Sequence, residues 1–247
     1  MINSDNAVYS VNNYIMINAD KYEIMYREVA MERVLIVAKT RMNHCHACVG
    51  GFNLNTGKNV RLFLTGVCYP LADTVFQVGQ MWDMSLSPVA TIIPPHVEDS
   101  IVHDKVYIGQ IDDMRTTLLN IVHPWKGGLA QLFHGKLHIG STSGYISPNT
   151  ELPPGSTGFW LTPHPLVLKC YQIDQSNDKP YYHLRLPIPG NPYQDYLSSL
   201  KIPYVGFHKP VPELLANTLV RVSLARWWAP EGFIEKRCHL QLSGWYL

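Results

Sequence analysis

The first thirty residues hold Asn, Tyr and apolar positions in no sustained period, and from Met31 the pattern becomes regular. RVLIVAKT, Arg33 to Thr40, is an apolar run with Val and Ile inside polar ends, which predicts a buried strand. Cys48 to Leu54 predicts a second strand, and Asn55-Thr56-Gly57 a turn in which glycine is free to take positive φ. NVRLFL, Asn59 to Leu64, predicts a third, with Val60, Leu62 and Leu64 on one face and Arg61 and Phe63 on the other. QVGQMWDMSLSPVATII, residues 77–93, reads as two more strands or one bent one. Five short strands joined by glycine-bearing turns over about eighty residues is the size of a small Greek-key barrel.

The period then changes. Ile111, Met114, Leu118 and Val122 recur at helical spacing behind Asp112-Asp113, which suits a helix N-terminus, and His123-Pro124 ends the run. Gly128 to Phe133 adds a further helical turn. Strand patterns resume in LHIGST, GFWLT, LVLKCYQI and YYHLRLPI. A helix is predicted at NPYQDYLSSL, with Asn191 as cap and Tyr193, Tyr196, Leu197 and Leu200 on one side, and another at Pro212 to Asn217. LVRVSLARWW and RCHLQLSGWYL close the chain as alternating strands about the turn Ala229 to Gly232. The predicted organisation is an N-terminal extension over 1–30, a first barrel with its connector helix over 31–124, and a second barrel over 125–247.

Composition narrows the function classes. Of 247 residues, 46% are hydrophobic and 16% charged, which is a globular balance, and eighteen prolines with seventeen glycines suit many tight turns. A net charge of +1 leaves no global basic field, so any nucleic-acid contact has to come from a local patch. No apolar run approaches the roughly 20 residues that span a bilayer. The N-terminus lacks a basic segment followed by an apolar one, and five cysteines in no regular framework fit reduced thiols, so the expected location is cytoplasmic.

NHCHACVGG, Asn43 to Gly51, is the densest chemistry in the chain. Zinc needs four ligands. His44, Cys45, His46 and Cys48 supply candidates, with Cys238-His239 the only second pair to add. In a strand, however, His44, His46 and Cys48 point one way and Cys45 the other. A redox dithiol needs a helix N-terminus, and here Cys48 leads into strand-like Val-Gly-Gly-Phe. The segment therefore reads as a loop and strand start beside a binding face, with no metal and no cofactor expected. Phosphate-loop, dinucleotide, nucleophile-elbow and His-Glu-x-x-His motifs are missing from the sequence, and no constellation of residues asks for an enzyme.

Aromatic and basic residues recur together on predicted strands, the combination that stacks bases and pairs phosphates. Lys39, Thr40 and Arg41 end the first strand, and Arg61 and Phe63 share a face of the third. Tyr181, His183 and Arg185 share a face of YYHLRLPI, and Arg226 and Trp227 precede the last turn. These ten residues form the candidate ligand set. Arg61 and Arg185 read equally well as solvated faces, and Trp227 as a barrel plug.

VLIVAKTRMNHCHACVGGFNLNTGKNVRLF resembles the opening of the bacterial dual OB-containing domain family. The matching positions are Lys39, Thr40, Arg41, Cys48, Val49, Gly51, Gly57 and Arg61. The closing LVRVSLARWWAPEGFIEKRCHLQLSGWYL is similar to that family's last strands, so the resemblance spans about Met31 to Leu247. Gly50 stands where the pattern has Ala, and Asn59-Val60 where it has Trp-Ile. The resemblance implies two OB-like small β-barrels in one compact unit, so the expected fold is mainly β with short connecting helices. The N-terminal leader lies outside the resemblance and reads as a flexible segment, a short helix around Ala19 to Val29, or an extension upstream of a start at Met31. The resemblance also implies a non-catalytic module for single-stranded DNA or RNA, or for a nucleotide-like ligand, in a prokaryotic defence or mobile-element setting. The alternatives are a protein-interaction subunit of a larger complex, and a metal-dependent enzyme built around the His/Cys loop.

Overall fold

The computed structural model describes residues 30–42, 45–169, 180–232 and 234–247. The predicted N-terminal extension, His44 and the end of LVLKCYQI lie outside the described residues.

The first unit comprises β1 (Glu32–Arg41), β2 (Ala47–Asn53), β3 (Lys58–Phe63), β4 (Gln80–Pro88) and β5 (Asp99–Gln110). These strands close into a barrel in the order β1-β2-β3-β5-β4, with β3 and β5 parallel and the other pairs antiparallel. That is the Greek-key order of a five-stranded barrel. Strand alternation fills its interior with Val34, Ile36, Val49, Val60, Leu62, Met84 and Val102, and Phe76 plugs it against Trp82. Three expected strands fall where predicted. Of the two readings of the stretch 77–93, the single irregular strand holds, with register shifts at Met81/Trp82 and Ser85/Leu86, and the fifth strand is DSIVHDKVYIGQ. Its outer half, from His103 onward, is largely exposed, so no clean alternation marks it in the sequence.

Helix α1 (Met114–Ile121) follows, with the Asp113 side chain accepting from the Thr116 N–H as N-cap, and Leu118 its buried residue. The second unit holds β6 (Trp125–Lys126), a short 3-10 segment (Leu129–Gly135), β7 (His138–Ile139), β8 (Gly144–Ile146), β9 (Thr157–Leu161), β10 (Leu166–Lys169) and β11 (Tyr181–Ile188). It continues through β12 (Asn191–Leu197), β13 (Ile202–Pro203), β14 (Glu213–Leu214), β15 (Leu219–Leu224) and β16 (Cys238–Tyr246). One sheet runs β6-β9-β15-β16-β8-β7, and the other β12-β11-β10-β14 with β13 on β11. Both sheets bury side chains in one core, Trp160, Val220, Val222, Leu240 and Leu242 from the first against Leu166, Tyr182, Leu184 and Ile202 from the second. The bridge between Tyr204 and Leu242 joins them into a barrel-like unit.

Two predicted helices are corrected to strands. NPYQDYLSSL forms β12, because Gly190 at φ +80° turns the chain back on β11 and Leu186 pairs with Tyr196. Its supposed apolar side is not buried: Tyr193 is 95% exposed, and of the four residues only Leu200 reaches the core. Pro212 to Asn217 likewise carries β14, paired with β10 at Leu166 and Leu214. Pairing partners distant in sequence override local helical spacing in both.

A third apolar layer joins the units. Leu35, Val37 and Phe52, on the outer side of the first barrel, pack against Phe159, Leu219 and Tyr246 of the second unit, with Leu118 and Val122 closing one end. Tyr246 donates its hydroxyl hydrogen to the Val37 carbonyl across this layer. The outer face of β1 and β2 is therefore internal to the molecule.

Candidate functional site: the cleft between the two units

Beyond the apolar part of this layer the seam becomes polar and opens into a cleft of about 390 Å³. Its lining includes Thr40, Arg41, Cys48, Gly50, Arg61 and Tyr69 from the first unit, and Arg221, Ser223, Arg226, Trp228, Gln241 and Ser243 from the second. Four of the lining residues are arginines and none is a carboxylate.

The double glycine of NHCHACVGG makes this packing possible. Gly51 faces the barrel interior, where a Cβ would lie 2.4 Å from Val34 Cγ1. Gly50 faces the seam, where a Cβ would lie 2.8 Å from both Nη atoms of Arg221. One strand thus lies flush against neighbours on its two sides, which side chains at those positions would prevent.

Parallel pairing of β3 with β5 sets Arg61 beside Asp99. Arg61 Nη1 donates to Asp99 Oδ1 at 2.7 Å and Nη2 to Ser156 Oγ at 2.8 Å. Arg226 Nη2 donates to the other Asp99 oxygen at 2.7 Å, so a single carboxylate ties an arginine from each unit. Glu98 accepts from the Ser156 hydroxyl at 2.9 Å and from the Thr157 N–H at 3.0 Å. His96 is fully buried behind these groups, 3.4 Å from Arg61 Nη1 through Nδ1 and 3.7 Å from Cys238 Sγ through Nε2. Burial, then Arg61 and Arg226, push its pKa down to about 3, and burial pushes the Cys238 thiol up to about 12.

Arg221 differs from the other three. It is 4% exposed, its Nε has no hydrogen-bond partner, and no described carboxylate pairs with it. Burial pulls its pKa down, the direction expected for a desolvated cation.

The structure divides the predicted ligand set. Thr40, Arg41, Arg61 and Arg226 line the cleft. Lys39 is buried, with Nζ 5.1 Å from the Phe207 ring centre. Arg41 extends across the seam to donate to the carbonyls of Gly206 and Phe207. Phe63 is buried against Tyr69, ring centres 4.6 Å apart. Tyr181, His183 and Arg185 stand apart on β11, where Arg185 pairs with Glu213 at 2.6 Å and His183 Nδ1 lies 2.6 Å from the Ser198 carbonyl. Trp227 turns away from the cleft, donating Nε1–H to the Pro94 carbonyl at 2.8 Å. Among the described residues no group of three or more His, Cys, Asp or Glu could hold a metal; Cys45 is exposed and Cys48 half-buried. The sequence reading missed Arg221, Gly50, Asp99 and Ser243. Arg221 alternates with Val220 and Val222 and so reads as solvent-facing; only the second unit's packing buries it.

No curated protein and no solved structure matches the chain. The dual OB-containing domain family matches residues 32–245, which takes in both β units and the seam between them, and the chain belongs to that family.

Proposed function

We propose that the chain is a non-catalytic binding module for single-stranded nucleic acid or a nucleotide-like ligand, and that the seam cleft is its contact surface. The observation that carries this reading is the cleft's lining of four arginines without a carboxylate, in a molecule whose net charge is only +1. Thr40, Ser223, Ser243 and Tyr69 add hydroxyls, and Trp228, 57% exposed, adds a flat ring for stacking. A prokaryotic defence or mobile-element setting goes with this reading through the family resemblance alone, and a cytoplasmic location through the cysteines' lack of a regular framework.

Fluorescence anisotropy with a labelled single-stranded oligonucleotide tests it. With about three phosphates engaged, affinity should fall roughly 20-fold between about 50 and about 200 mM salt. Arg41→Ala should weaken binding at low salt. Binding that ignores salt, or absence of binding to oligonucleotides and nucleotides alike at low salt, removes the proposal.

A separate observation favours the protein-interaction reading. Beside Trp227, Ile93 is 54% exposed and Ile234 fully exposed, with Pro148 in the same apolar hollow. Co-purification of a stoichiometric partner with the tagged chain, without oligonucleotide binding, would select it.

A further inference from the structure

We infer that the floor of the cleft is a phosphate site built on Arg221, shaped to take the phosphomonoester end of a small phosphorylated ligand with its flat ring toward Trp228. The inference rests on the ligand-binding reading above and specifies the group recognised.

A fully buried guanidinium with nothing to pair it is costly, and such charges normally persist where an anion compensates them. Asp99 does not serve, because both its oxygens are taken by Arg61 and Arg226. Glu98 does not serve either, since it is held by Ser156 and Thr157. Arg221 therefore keeps its donor fork unspent, in a wall that also carries the Ser223 and Ser243 hydroxyls, 2.7 Å apart. A carboxylate would satisfy one arginine. A phosphomonoester, with about two negative charges and three acceptor oxygens, matches a guanidinium flanked by hydroxyls and by two further, partly neutralised arginines.

The strand facing Arg221 is built to admit it. Position 50 is Gly, and a Cβ there would sit 2.8 Å from both Arg221 Nη atoms. The missing side chain leaves room for a buried guanidinium that no described carboxylate pairs. The cleft, at about 390 Å³, falls in the size range of small-ligand pockets.

The test is thermal shift and calorimetry on the full chain with inorganic phosphate, adenosine 5′-monophosphate and adenosine. A single-stranded oligonucleotide with and without a 5′-phosphate is run alongside. Phosphate and the monophosphate should stabilise the wild type and compete with each other, while adenosine should not. Arg221→Met should reduce phosphate affinity about tenfold or more. Its melting temperature without ligand should match or exceed wild type, because the substitution removes an uncompensated buried charge. Gly50→Ala, which meets only the far end of a flexible side chain, should fold and still weaken phosphate binding by displacing the guanidinium. Trp228→Ala should weaken the monophosphate and spare inorganic phosphate.

Phosphate affinity unchanged in Arg221→Met, or no response of the wild type to phosphate or the monophosphate, overturns the inference. If oligonucleotides then still bind, with or without a 5′-phosphate, the general binding reading survives it. If the monophosphate binds through Arg221 and no oligonucleotide does, the inference stands and the single-strand half of that reading falls.

Discussion

Lowering the pH should destabilise this fold well before its carboxylates titrate, and His96 is the reason. The ring is wholly buried, Arg61 directs an N–H into Nδ1, and Nε2 lies 3.7 Å from Cys238 Sγ. A second proton would place a cation beside Arg61 and Arg226 without water, so burial and those two charges lower the pKa from 6.5 to about 3, while a hydrogen bond to the Ala225 backbone acts weakly in the other direction. The unfolded chain takes up its proton near 6.5 and the native state does not. The stabilisation is thus complete above 6.5 and is lost progressively as pH falls from there toward 3. At about pH 5 the gap of roughly 1.5 pH units, at about 1.36 kcal/mol each, gives about 2 kcal/mol. For a chain of this length that is a fall of about 4–8 °C in melting temperature. Urea denaturation followed by tryptophan fluorescence at about pH 7 and about pH 5 reads it, with His96→Gln as the comparison, since glutamine keeps an acceptor for Arg61 and does not titrate. His239 is also lowered, by burial and then Arg237, but it is only partly covered and adds a smaller loss in the same direction to both proteins. The wild type should lose about 2 kcal/mol more than the variant over this window. Equal losses would mean that the ring accepts a proton in the folded state and that the packing around it is wrongly described.

The remaining predictions concern the seam and the packing of the second unit. Asp99→Ala removes the carboxylate shared by Arg61 and Arg226 and should cost about 3–5 kcal/mol in urea unfolding, because buried Arg61 loses its counter-charge; a loss below about 1 kcal/mol would show that the bridge is not holding the units. Gly158→Ala puts a Cβ 2.3 Å from Trp125 Cη2, the body of a rigid ring, and should cost about 1–3 kcal/mol in thermal unfolding. An unchanged melting temperature there would contradict the packing of Trp125 on β9.

Local pattern carried the reading a long way where the signal sits in neighbouring residues. β1 is an unbroken apolar run because both its faces are covered, β3 alternates, and Asn55-Thr56-Gly57 marks the turn between β2 and β3. It failed where long-range pairing decides. Tyr193, Tyr196, Leu197 and Leu200 have helical spacing, yet a hairpin with β11 sets that segment. The second half of β5 is exposed on both sides and leaves no period to detect. The site was half legible for a related reason. Thr40, Arg41, Arg61 and Arg226 stand out by residue type, whereas Arg221 looks like an ordinary outward-facing strand residue until a second β unit covers it. The Gly50-Gly51 pair could be noticed in the sequence, but its use depends on Val34 on one side and Arg221 on the other.

β1 shows Val34 and Ile36 to the barrel interior and Leu35 and Val37 to the seam, with Tyr246 from the chain's far end bonded to the Val37 carbonyl. Neither unit therefore has a finished outer skin. A fragment freed by proteolysis near residue 124 would display a sticky apolar sheet and act as a substrate for aggregation or degradation, not as a spare adaptor.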